Sequence, residues 1–86
     1  MPEISRFLGI VIYMYFNDHL PPHFHVKYNE HRAAISIEKL ALHEGTLPPR
    51  VLGLVMEWAE IHQKELMDNW ELILATGKYN AIQPLV

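Results

Sequence analysis

The chain has 86 residues, half of them apolar and 20% charged, with no cysteine and a net charge of -3. This is the size and make-up of one globular domain over residues 1–86 rather than of a disordered tract. It excludes disulfides and thiolate metal sites, and the weak acidity argues against a dedicated nucleic-acid binder.

The charge is unevenly spread. Residues 1–43 balance Arg6, Lys27, Arg32 and Lys39 against Glu3, Asp18, Glu30 and Glu38. Residues 44–76 set Glu44, Glu57, Glu60, Glu65, Asp68 and Glu71 against Arg50 and Lys64. A polyanion-binding surface would therefore belong to the first half. The start reads as no signal peptide, and the apolar run Ile10 to Phe16 is far too short to span a bilayer, so a cytoplasmic location is the expectation. A domain this small buries a modest share of its surface, and an oligomer interface would help it.

Residues 1–7 read as a lead-in whose Ile4 and Phe7 tuck into the core. After Gly9, the run Ile10 to Phe16 is β-branched and aromatic and too short for a helix, which predicts a strand. Asn17-Asp18 and Pro21-Pro22 end it with a stiff loop. His23 to Tyr28 and Arg32 to Glu38 then alternate, predicting two strands joined at Asn29-Glu30. A two-residue turn there sets Tyr28 opposite His31, Val26 opposite Ala33 and Phe24 opposite Ile35, so the apolar faces coincide. The other face pairs His23 with Ser36, His25 with Ala34 and Lys27 with Arg32. That last like-charge pair is unfavourable and leaves a slightly longer loop as an alternative.

Residues 39–49 read as a connector. From Arg50 the period becomes helical, with a stripe of Val51, Val55, Trp58, His62, Leu66, Trp70 and Ile73, and Gly77 is a natural stop. A continuous helix of about 26 residues would be about 40 Å long, too long for so small a body. It either kinks or splits near residues 63–68, or overhangs and packs on a second subunit through Leu66, Trp70 and Ile73. The fold class expected is α+β: a small three-stranded antiparallel sheet against one long C-terminal helix, kinked or split.

Three of the six histidines, one carboxylate and a Pro-Pro pair fall between Asn17 and Val26. His23 and His25, two apart on a strand, share a face, and Asp18 and His19 sit in the stiff loop before them. Asp18, His19, His23 and His25 are thus candidate ligands for a divalent transition metal, which would be the cofactor, and could activate water. The plain alternative is that they shape the loop by bonding backbone groups. Fragments here are similar to ligand motifs of cupins, His-Asn-His nucleases and histidine-triad proteins, and each lacks the rest of its motif. His25, Lys27 and Arg32 form a candidate nucleic-acid face. Nucleophilic catalysis has little support, since the only serines, Ser5 and Ser36, lack a Gly-x-Ser-x-Gly setting.

Several stretches together resemble the bacterial domain of unknown function number 4160. They are Ile4-Ser5-Arg6-Phe7, the strand from Gly9 to Tyr15, Asn17-Asp18-His19-x-Pro21-Pro22-His23-Phe24-His25-Val26, Gly45-x-Leu47-Pro48-x-Arg50, and the helix from Glu57-Trp58-Ala59 to Asn69-Trp70. The resemblance implies a small bacterial protein, often encoded beside another short protein in an arrangement similar to a toxin–antitoxin pair. It carries over no catalytic residue. The expected function is an interaction domain, one half of such a two-protein module, with the neighbouring protein or a second copy of the chain as partner and no membrane. The alternatives are a metal-dependent hydrolase or nuclease using the Asp/His cluster, and RNA or DNA binding by the basic sheet face.

Overall fold

A computed structural model describes residues 2–86. Five strands, β1 (Glu3–Phe7), β2 (Ile10–Tyr13), β3 (His23–Tyr28), β4 (His31–Ser36) and β5 (Leu42–Gly45), are followed by helices α1 (Pro49–Ile61) and α2 (Gln63–Thr76). The strands form one antiparallel sheet in chain order. The expectation of a three-stranded sheet against one long helix, kinked or split, is therefore corrected to a five-stranded sheet and two separate helices that part at His62.

Each correction has a local cause. β1 joins β2 through Leu8 and Gly9, at φ 51° and 78°, a two-residue hairpin turn that needs positive φ. Leucine is not a turn residue, so the hairpin is hidden in the sequence. β5 is exposed at all four positions and has no alternation to read; it exists because the β4 backbone offers it a ladder. Gly45, at φ 79°, closes that ladder beneath the Arg32 carbonyl. The β3–β4 register is the one expected from the coincident apolar faces, including Lys27 opposite Arg32.

Pro49 opens α1 at the first helical position, where its missing N–H costs nothing. The helical run breaks at His62 (φ −113°, ψ 21°) without glycine or proline. The break is tertiary in origin. The Gln63 amide donates to the carbonyls of Ile37 and Glu38 at 2.7 and 3.2 Å, which pins the corner to the end of β4. The longest extent of the body is 34 Å, so two shorter helices fold back where one straight helix would overhang.

Ile4, Ile10, Ile12, Phe24, Val26 and Ile35 on the sheet meet Val51, Val55, Trp58, Leu66 and Ile73 on the helices, all buried. Each such side chain contributes about 1.5–3 kcal/mol on burial. Trp58 sits between Phe7 and Phe24 (centroids 5.7 and 6.0 Å), and its Nε1–H donates to the Gln83 carbonyl at 2.8 Å. That bond, Ile82 N–H to the Ile4 carbonyl, and the paired bonds between Asn69 and the Asn80 backbone strap the C-terminal tail across the core. Among the described residues no helix is long and apolar enough to cross a membrane.

Candidate functional site

Alternation along β3 sends Phe24 and Val26 into the core and leaves His25 and Lys27 on the face away from it. Pairing with β2 sets Tyr13 opposite His25, with the rings stacked at 5.2 Å, and Tyr15 meets the same imidazole edge-on at 4.7 Å. The chain leaving β2 must return to begin β3 beside it. Residues 14–22 therefore double back, and the turn brings the Asp18 carboxylate over His23 and His25.

His25 Nε2 lies 2.8 Å from Asp18 Oδ2 in a hydrogen bond. His23 Nε2 lies 3.0 Å from the same oxygen with no hydrogen bond between them. Its Nδ1 is 2.7 Å from the Pro21 carbonyl. A carbonyl only accepts, so Nδ1 carries a proton, and in a neutral ring that tautomer leaves the lone pair on Nε2. The three side chains are 11% (Asp18), 5% (His23) and 18% (His25) exposed, and one ligand atom from each lies within 4.8 Å of the others. Two imidazoles and one carboxylate form the donor set of zinc, iron and manganese sites.

His19 does not join them. It follows Asp18 directly, its backbone N–H donates to Asp18 Oδ1 at 3.3 Å, and its ring is 89% exposed with Nδ1 3.8 Å from that oxygen. His43, read from the sequence as connector, belongs to β5, and its ring centroid lies 5.8 Å from that of His23. A neighbouring chain position would not reveal this; only the pairing of β5 with β4 does. Trp70 of α2 closes the inner side, 5.3 Å from His23. On the outer side His25 borders an open groove of about 280 Å³ shared with Tyr13, Tyr15, Arg32 and Glu44. Burial pushes the Tyr13 phenol above its ordinary value, the neighbouring Tyr15 adds to this, and Arg32 opposes it.

The other expected residues are placed as follows. His25, Lys27 and Arg32 share the sheet face away from the helices, as the register required. Leu66, Trp70 and Ile73 are buried in the core of the single chain, so they present nothing to a partner, and exposed apolar side chains occur elsewhere. His62 is packed on Trp58 and bonds Glu65 through Nδ1 at 2.6 Å, apart from the cluster.

A comparison with curated proteins found no match, and neither did one with solved structures. A comparison with known families matches residues 9–71 to a domain of unknown function, DUF4160. The matched span holds β2 to β5, α1, the first part of α2 and every member of the Asp/His cluster. It covers most of the chain, and the chain therefore belongs to the DUF4160 family.

Proposed function

We propose that this domain is a protein-binding half of a two-protein, toxin–antitoxin-like module. The reading is carried by the free edge of β5. Among the described residues this strand pairs only with β4, and it is exposed throughout; such an edge is a template for a strand of another chain. Beside it, the loop that turns Asp18 inward turns Tyr15, Phe16 and Leu20 outward at 44, 46 and 70% exposure, and Leu42 on β5 is 42% exposed. Pro21 and Leu42 line one cleft of about 330 Å³. Apolar side chains gathered beside an open edge mark a contact surface more than scattered ones do. The family resemblance supplies the partner class, a short protein encoded next to this one.

The test is co-purification of the chain with the product of the adjoining gene, for wild type and for Leu20→Asp/Leu42→Asp. Both side chains are solvent-facing, so the variant should keep its circular dichroism and lose its partner. Wild-type protein that elutes alone in the presence of its neighbour, or a folded variant that still binds, refutes the reading.

A second reading rests on Lys27 and Arg32. They sit side by side, exposed, and form no ion pair among the described residues, which suits a polyanion. It requires salt-sensitive RNA or DNA binding that Lys27→Glu/Arg32→Glu abolishes. Binding that ignores salt or survives both changes removes it.

A further inference from the structure

The geometry points to a site for one divalent transition-metal ion, held by His23 Nε2, His25 Nε2 and Asp18 Oδ2, with open positions facing the groove beside His25. The first support is the proton on His23. Its Nδ1–H is committed to the Pro21 carbonyl, which is how metal-bound imidazoles are oriented, with the lone pair of the other nitrogen left for the ion. The second is close approach without a bond. His23 Nε2 approaches Asp18 Oδ2 to 3.0 Å with no hydrogen bond between them, the relation of two ligands that share an ion, while His25 Nε2 is hydrogen-bonded to that oxygen at 2.8 Å and would give up that bond to the ion.

The third support is spacing. Ligand atoms about 2.0–2.1 Å from an ion are about 2.9 Å apart at right angles and about 3.4 Å apart at tetrahedral angles. The two nitrogens lie 2.8 and 3.0 Å from Oδ2, the right-angled value. Three protein ligands leave at least one further position of the shell open. The fourth is enclosure. Aromatic rings of Tyr13, Tyr15 and Trp70 lie against the two imidazoles, limiting water around the ligands. The donors are two nitrogens and an oxygen, so the ions that suit them are Zn²⁺, Fe²⁺, Mn²⁺ and Ni²⁺, not the soft Cu⁺. The groove beside His25 carries both Arg32 and Glu44, so a molecule completing the shell would meet one charge of each sign there.

The experiment uses the untagged full chain, stripped with EDTA and titrated with Co²⁺ and Zn²⁺. Cobalt is followed by its visible absorption and the imidazole nitrogens by ¹⁵N NMR. The expected result is one ion per chain, cobalt bands of nitrogen–oxygen coordination, and perturbation of Nε2 on both His23 and His25. Asp18→Asn and His25→Ala should weaken binding at least about 100-fold, the upper end of what loss of an outer partner costs. His19→Ala/His43→Ala should leave it unchanged. Failure of the wild type to take up stoichiometric metal overturns the site, as does binding that persists in both ligand variants or disappears with His19 and His43. If a ligand variant fails to fold by circular dichroism, the nitrogen shifts of wild-type His23 and His25 decide, and unshifted Nε2 signals overturn it.

Discussion

Removing the Asp18 carboxylate tests whether the cluster contributes to the fold in the absence of metal. In Asp18→Ala, His25 Nε2 loses a 2.8 Å acceptor, the His19 N–H loses a 3.3 Å one, and His23 Nε2 loses its nearby anion. A hydrogen bond to a charged group contributes about 1.5–3 kcal/mol, and a neutral one about 0.5–1.5 kcal/mol. The His19 bond is exposed and adds little, and His23 makes no hydrogen bond to Asp18, so the loss is about 1.5–3 kcal/mol, centred on His25. For a domain of this size that corresponds to about 6–24 °C in Tm. Asp18→Asn keeps one oxygen in the place of Oδ2 and should cost about half as much. The assay is urea unfolding in EDTA, so that metal linkage contributes nothing. Asp18→Ala within about 0.5 kcal/mol of wild type, the range of an ordinary surface substitution, would refute the bonded cluster.

Asn69→Ala should cost about 2–4 kcal/mol, because it leaves the Asn80 N–H and carbonyl without their 2.8 and 2.7 Å partners, and hydrogen exchange should quicken at Asn80 and Ile82. Gly45→Ala places a Cβ 2.2 Å from the Arg32 carbonyl oxygen at φ 79°; urea unfolding should show a loss above the about 1–2 kcal/mol of the left-handed backbone alone. Gly53→Ala, with no atom within 4 Å of the new Cβ in the middle of α1, should instead stabilise by about 0.5–1 kcal/mol. Tyr13 holds its phenolic proton more tightly folded than unfolded, because burial opposes the phenolate. Its stabilising contribution is therefore complete below the unfolded value of about 10 and lost as pH rises beyond it; Tyr13→Phe should flatten that alkaline decline in thermal unfolding.

What the sequence shows of this fold depends on where the determining contacts lie. The β3–β4 pair is legible because both strands alternate and their apolar faces coincide in the register of a two-residue turn. The approach of Asp18 to His23 and His25 is legible because a proline-rich return between neighbouring strands leaves the carboxylate few other places. His19 is misjudged because adjacency to Asp18 suggests a shared target, whereas consecutive side chains diverge. β1 is hidden by a leucine at positive φ and β5 by having no buried face; a split of the helix follows from its length, but its position at His62 depends on carbonyls 25 and 26 residues away. His43 is lost with β5, since nothing near it in the chain marks it as a neighbour of His23.

The tail strap and the cluster are joined through two consecutive residues of α2. Asn69 holds Asn80, and Trp70 lies against His23. The segments outside the family match, β1 and the tail, are bonded to each other through Ile4 and Ile82, so Asn69 ties the matched body to both. If loosening the tail lets that turn of α2 move, Trp70 leaves His23, and the bonds that Asp18 organises lose part of their support in advance. A cycle of Asp18→Ala, Asn69→Ala and the double variant should then be non-additive, with the double variant less destabilised than the sum by about 0.5–1 kcal/mol, beyond the about 0.3–0.5 kcal/mol scatter of independent sites. Additivity within that scatter would mean that Trp70 is fixed by the core alone, through Leu66 and Ile73, and that the strap serves only Trp58.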